Sequence, residues 1–166
     1  ALSSAASDVY KRQFLPQLIQ TASVAQAAFE VIKTTLIERN AAPVSRGEIV
    51  LATVKGDIHD IGKNIVRVLL ENYGYTVLDL GRDVPCQLVA DTAKEHGVKL
   101  VGLSALMTTT LGAMEETIQL VKQSCPDCKI VVGGAVLTAD YAEKIGADFY
   151  AKDAMETVAV AKEVVG

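Results

Sequence analysis

From Gly47 onward the chain alternates short β-branched runs with stretches of helical periodicity, and that alternation limits the fold more than any other feature. The strand candidates are residues 49–54, 76–80, 100–104, 130–132 and 149–150, and the helix candidates between and after them are 62–72, 86–96, 111–124, 139–145 and 154–164. The first, third and fourth strands are almost wholly apolar, as expected when helices cover both faces of a parallel sheet. Five such βα units predict an α/β domain with a doubly wound, five-stranded parallel sheet in the order 2-1-3-4-5.

Ligands of such flavodoxin- or Rossmann-like sheets bind outside the carboxyl ends of the strands, where the strand order reverses. The loops that matter therefore follow Val54, Ser104 and Val132. Composition narrows the ligand class. With a net charge of −4 and scattered Lys and Arg, the chain lacks a basic footprint for nucleic acid. No apolar run approaches the roughly 18–20 residues that span a bilayer, and no signal peptide is visible, so a cytoplasmic setting with no membrane partner is expected. Three cysteines in a chain of 166 residues do not make a disulfide framework. Cys125 and Cys128 form a CxxC, but with no second pair they read as a turn rather than a metal or redox site.

Residues 3–13 read SSAASDVYKRQ, which looks like the in-frame translation of a transposon-based sequencing adapter, so residues 1–13 are set aside as a leader of artefactual origin. On that expectation the natural sequence begins near Phe14, with its upstream part missing. Over residues 14–39 the apolar positions Leu15, Leu18, Ile19, Ala22, Ala25, Phe29, Ile32 and Leu36 recur at helical steps, and residues 40–46 read as a linker.

The loop after the first strand reads Lys55-Gly56-Asp57-Ile58-His59-Asp60-Ile61-Gly62-Lys63-Asn64. It has neither the spacing of a phosphate loop nor that of a dinucleotide fold. An imidazole near a carboxylate suits metal ligation, because the carboxylate fixes the tautomer by accepting the other ring N–H. Asp57 and Asp60 are both candidates for that partner, and a surface histidine beside a helix-start aspartate is the plain alternative. A single protein ligand implies a metal that arrives with most of its coordination filled, as in a tetrapyrrole-like cofactor.

Asp57-x-His59-x-x-Gly62, Ser104 after the third strand and Gly133-Gly134 after the fourth together resemble the signature of cobalamin-binding domains. In that family the cofactor binds base-off, with its nucleotide tail in a channel beside the sheet and the histidine below cobalt. The longer segments GEIVLATVKGDIHDIGKNIV, DLGRDVP, VGLSALMTTTL, VVGGAVLT and IGADFYAKDAMETV resemble the cobalamin module of cobalamin-dependent methionine synthase, and FLPQLIQTA resembles the end of its helical cap. The resemblance divides the chain into a truncated cap segment and linker at residues 14–45 and a cobalamin-binding domain at residues 46–166.

By that resemblance His59 is the axial cobalt ligand, and Asp57 and Thr110 complete a ligand relay in which serine is the usual third member. Gly56, Ile58 and Asp60 line the lower corrin face, Gly62, Gly133 and Gly134 give room for the cofactor, and Ser104 and Thr108 contact the tail. Ala154 lies near the corrin edge, and Leu15 shields the methyl group. The implied function is that of an enzyme fragment, the methylcobalamin module that carries a methyl group from methyltetrahydrofolate to homocysteine. The homocysteine and folate modules, with their zinc, would sit upstream, and a reductive-activation partner is possible within that scheme. Asp57 would stabilise a protonated His59 when the imidazole leaves cobalt.

Three alternatives stand beside it: a corrinoid protein of a methanol or methylamine methyltransferase system, a cobalamin-dependent sensor, and a metal-free receiver-like domain. Among the remaining features, Met107, Met114 and Met155 read as packing residues, and Tyr73-Gly74-Tyr75 as a helix stop. Thr108–Thr110 reads equally as a helix cap and as a cofactor contact.

Overall fold

The computed structural model describes residues 45–166, which fall within one compact unit. The leader at 1–13, the cap segment and linker as far as residue 44, and Leu15 with them, lie outside the described residues.

Five strands, β1 (Glu48–Thr53), β2 (Thr76–Asp79), β3 (Leu100–Ser104), β4 (Lys129–Gly133) and β5 (Phe149–Tyr150), pair in parallel in the order β2-β1-β3-β4-β5. The helices are α1 (Ile61–Asn72), α2 (Cys86–His96), α3 (Leu111–Ser124), α4 (Ala139–Lys144) and α5 (Ala154–Val164), with a 3-10 turn at Thr108–Thr110. This is the doubly wound sheet that the alternating pattern predicts. Among the described residues no helix is long and apolar enough to cross a membrane.

The sheet's two faces separate by residue parity, because successive side chains of a strand point to opposite sides. Val50, Ala52, Val54, Val101, Leu103, Ile130 and Val132 share one core with Val89, Ala90 and Ala93 of α2 and with Met114, Ile118 and Val121 of α3. The spacing of that α3 triplet keeps it on one helical face. Burying each of these larger side chains contributes about 1.5–3 kcal/mol. The opposite face joins Ile49, Leu51, Leu100 and Val131 to Leu70 of α1 and to Val158 and Ala161 of α5.

Local chemistry sets the element ends. Gly97 ends α2 in the left-handed region at φ 59°, and Gly74 follows the last turn of α1 at φ 91°. Asp153 caps α5 by accepting from the Glu156 amide at 2.9 Å, while the Glu156 carboxylate accepts from the Lys152 amide at 2.9 Å. Cys125 to Cys128 forms a turn in which the Cys128 amide donates to the Cys125 carbonyl at 3.0 Å. Burial, with Cys125 and Asp148 close by, pushes the Cys128 thiol up to about 12, so it is a poor nucleophile at neutral pH.

Of the two adjacent glycines at the end of β4, Gly134 is the more constrained. Its φ is 140°, and a Cβ there would fall 1.8 Å from the Ala105 carbonyl oxygen. The β4 loop therefore passes directly over the β3 loop, which only glycine permits. Gly134→Ala is expected to destabilise the fold by about 3 kcal/mol or more in urea unfolding. Gly112→Ala, in the first turn of α3 with nothing within 4 Å of the added carbon, is expected to stabilise it by about 0.5 kcal/mol. Equal effects at the two positions would contradict the close passage of the loops.

Candidate functional site

The chain runs from β1 toward β2 and from β3 toward β4, so the loops after β1 and β3 diverge and leave a crevice between them. The β1 loop starts with a turn in which the Asp57 amide donates to the Val54 carbonyl at 3.0 Å, and Gly56 holds it with φ 84°. Asp83, itself at φ 53°, ties this turn down: its Oδ1 accepts from the Gly56 amide at 2.7 Å, and its amide donates to the Asp57 carbonyl at 2.9 Å. The turn aims the Asp57 side chain inward, where it is fully buried.

Each oxygen of that carboxylate serves a different loop. Oδ1 accepts from the His59 amide at 3.0 Å and from His59 Nδ1 at 2.8 Å. Oδ2 accepts from the amides of Leu106 and Met107, at 2.7 and 3.2 Å, in the loop after β3. Thr110 Oγ1 lies 3.2 Å from Oδ2 but 2.8 Å from the Met107 carbonyl, and one hydroxyl proton cannot serve both acceptors at once. Thr110 is therefore the weakest of the five donors to Asp57.

Burial alone would raise the Asp57 pKa, but the amides of His59, Leu106 and Met107 and the His59 ring outweigh it and hold the carboxyl well below the usual carboxylate range. An ionised acceptor at Nδ1 fixes the neutral imidazole as its Nδ1–H tautomer, which leaves the Nε2 lone pair free. Asp57, not Asp60, is thus the partner of His59. Asp60 instead precedes α1 at its N-cap position, without a side-chain cap bond.

His59 is about half-exposed and stands in the wall of a cavity of about 790 Å³. Ile58, Asp60, Gly62, Ser104, Gly133, Gly134 and Ala154 line the same cavity. Gly56 and Thr108 do not, and Asp57 and Thr110 sit behind the wall, supporting His59. Parallel register places Thr53, Ser104 and Gly133 side by side on one sheet face, with the hydroxyls of Thr53 and Ser104 2.9 Å apart. A Cβ on Gly133 would stand 3.1 Å from the Ala151 carbonyl oxygen, and one on Gly62 would meet nothing within 4 Å, so it would enter open space. Small residues at the strand ends and the first turns of α1 and α5 together make the cavity.

Besides Ile58, several apolar residues at the site are not singled out by the sequence. Ile61 is 77% exposed, Ile58 61%, Ile65 and Met155 53% each and Leu106 42%, and all but Met155 line the cavity. Met155 is corrected from a packing residue to an exposed one beside Ala154. Met114 does pack, fully buried. Among the described residues no group of three or more His, Cys, Asp and Glu could hold a metal ion, so the donor set here is the single His59 imidazole. One nitrogen donor, an apolar rim and a roomy cavity fit a large planar metal complex that brings its own ligands.

Residues 47–159 match the family described as B12 binding domain. The chain is 44% identical over 154 residues to dimethylamine corrinoid protein 1 of Methanosarcina acetivorans, covering 92% of this chain and 72% of that one. A cobalamin-binding protein from Desulfitobacterium hafniense superposes with a TM-score of 0.72 at 37% identity, over 82% of this chain and 67% of that one. The methanol:cobalamin methyltransferase complex MtaBC from Methanosarcina barkeri gives 0.77 at 32%, over 84% and 54%. These matches overturn the expectation that the chain is an enzyme fragment of methionine synthase, with homocysteine and folate modules as its partners. Its relatives are named as corrinoid proteins, and one of the matching structures is a complex with a methanol methyltransferase.

Asp57→Asn would place an amide NH₂ among backbone donors, and is expected to destabilise the protein by about 2 kcal/mol at pH 7. The folded pKa lies below the unfolded one, so the carboxylate's contribution is complete above about pH 4 and declines as the pH falls from there. Urea unfolding of both proteins between pH 7 and 2.5 should show the wild-type advantage shrinking below pH 4. An advantage that stays constant to pH 2.5 would mean that the ionised carboxylate is not its source.

Proposed function

Because this chain belongs to the family of B12-binding domains, we propose that it is a non-catalytic corrinoid carrier for a methyltransferase that acts on a methylated amine, the methyltransferase being a separate chain. The observation that carries this reading is the Asp57–His59 pair, with Nδ1 tied to a buried carboxylate at 2.8 Å and Nε2 left as a donor in the wall of the cavity. The amine is chosen because the curated relatives of this chain include dimethylamine corrinoid proteins at 44% identity and a trimethylamine corrinoid protein at 41%.

When bound, the corrinoid supplies a cobalt centre able to accept and release a methyl group. The chain's own residues hold and orient it. His59 would hold the cobalt through Nε2, with Asp57 fixing the ring and making it a better donor. Gly56 allows the turn that carries Asp57, and Ile58 and Asp60, in the cavity wall beside His59, would lie against the macrocycle. The exposed Ile61, Ile65 and Leu106 give it an apolar bed that excludes water. Gly62, Ser104, Gly133 and Gly134 would give room to the nucleotide tail in the cavity, and Ala154 would stand beside the macrocycle.

The first test is the visible spectrum of the purified chain with methylcobalamin in the dark, for wild type and His59→Gly. The expected result is a histidine-ligated spectrum in the wild type and a base-off spectrum in the variant, with affinity reduced about 10–100-fold. Absence of binding by the wild type would sink the corrinoid reading. Methyl transfer to the loaded chain from methanol with its methyltransferase, but not from a methylamine with a methylamine methyltransferase, would sink the choice of substrate.

A further inference from the structure

His59 lies in a segment that the hydrophobic core does not hold. Ile58 before it and Ile61 after it are mostly exposed, and the ring itself is about half-exposed. Burial contributes little to the place of such a segment, which is set by polar contacts at its ends. Asp57 is one of those contacts. The others come from the end of β2 and the loop that follows it.

Upstream of His59 the contact is Asp83. Its Oδ1 accepts from the Gly56 amide at 2.7 Å, and its own amide donates to the Asp57 carbonyl at 2.9 Å. Downstream the contact is Asp79. Its Oδ1 accepts from Lys63 Nζ, in the first turn of α1, and from the Gly81 amide at 2.9 Å. Arg67, one turn further along α1, stands 3.7 Å from Oδ2. Lys63 is buried although it borders the cavity, and an ammonium withdrawn from water is costly unless paired, so Asp79 pins the start of α1 to the sheet edge. The stretch that carries both aspartates is itself laid along β1. The Leu80 amide donates to the Leu51 carbonyl at 2.9 Å, the Thr53 amide to the Gly81 carbonyl at 3.0 Å, and the Val84 amide to the Thr53 carbonyl at 3.1 Å. His59 thus sits three residues past Gly56 and four before Lys63, with both neighbours tied to one stretch of backbone.

We propose that Asp83 and the Asp79–Lys63 pair are positioning residues that hold His59 from both sides, so that Nδ1 stays on Asp57 and Nε2 stays open to the cavity. The hold belongs to the protein alone, and only its consequence for cobalt rests on the corrinoid reading above. When either anchor is lost the segment gains freedom and the 2.8 Å contact from Nδ1 to Asp57 loosens. The imidazole proton then redistributes between the two ring nitrogens.

The test reads the His59 tautomer in the cofactor-free chain by long-range proton–nitrogen NMR at about pH 8, with the other histidine, His96, identified by His96→Gln. Asp83→Gly keeps the left-handed backbone but removes the acceptor, whereas Asp83→Asn keeps both. Lys63→Met removes the ammonium while keeping a buried apolar stem, and leaves Asp79 its Gly81 amide. Wild type is expected in the Nδ1–H form. Asp83→Gly and Lys63→Met should each lower the ratio of Nδ1–H to Nε2–H about tenfold, and Asp83→Asn should stay within about threefold of wild type. Val121→Ala, which opens the core on the other face of the sheet, should lower the urea midpoint without moving the ratio. An unchanged ratio in Asp83→Gly or in Lys63→Met, or an equal shift in Val121→Ala, overturns the proposal; Lys63→Met decides it if Asp83→Gly does not fold. With methylcobalamin added, the same two variants should raise the ratio of base-off to histidine-ligated spectrum about tenfold. A tautomer shift in the variants of a chain that binds no methylcobalamin would overturn the carrier reading and leave the hold on His59 intact.

Discussion

A buried carboxylate is tolerated only where donors replace the water it has lost, and Asp57 obtains them by drawing two loops together. One oxygen organises the loop that contains it, and the other organises the loop after β3. The divergence of β1 and β3 opens a crevice; the carboxylate keeps its walls in register. Orientation of His59 is a consequence of the same arrangement. The ring is held by Nδ1 on an acceptor that stays ionised, so Nε2 remains available without side-chain entropy to lose on ligation. The glycine at 56 and the left-handed aspartate at 83 serve this arrangement at one remove, because they set the turn that buries the carboxylate.

The cavity reflects a division of labour within α1 and α5. Their first turns, with Gly62, Ile65 and Val66 on one and Ala154 and Thr157 on the other, line open space. Their later turns, with Leu70 on one and Val158 and Ala161 on the other, close the core. The sheet follows the same scheme, with apolar bulk at the amino half of its strands and Thr53, Ser104 and Gly133 at the carboxyl ends. The fold thus draws its stability from one end of this layer and leaves the other end open for a ligand. Exposed isoleucines around the mouth are costly for a free surface and reasonable for one that a macrocycle covers.

Much of this is legible in the sequence, and the parts that are not have identifiable causes. Apolar β-branched runs and period-3.6 patterns locate the strands and α-helices of the described residues within a residue or so, because the parallel sheet makes its strands unusually apolar. The Asp57-x-His59 spacing marks the donor, but choosing Asp57 over Asp60 needs the turn at Val54–Asp57, which spacing does not encode. Ile61 and Ile65 are not marked as site residues by the helical pattern, since periodicity cannot distinguish packing against protein from lining a cavity. Leu106 and Met107 act through backbone amides and have no side-chain signal. Asp83 lies far from the motif in sequence and reaches it only through the pairing of β1 with β2. The methionine synthase expectation fails for a related reason. The matching motifs surround the cofactor, whose demands are common to the whole family, whereas the methyl donor and acceptor are recognised by surfaces that those motifs do not include.

The geometry also bears on the carrier role proposed above. A general acid must carry a proton at neutral pH and a general base must have a free lone pair facing the reactant. Asp57 meets neither requirement, since it is held ionised and its oxygens face the interior, saturated by amides and the His59 ring. Nδ1 of His59 is committed to Asp57, which leaves Nε2 the role of donor. Ser104 shares its hydroxyl with Thr53, and Thr110 has its proton on the Met107 carbonyl. These four side chains are thus occupied in fixing the shape of the site. That is consistent with the proposed carrier role, in which a constant geometry matters more than a free acid or base.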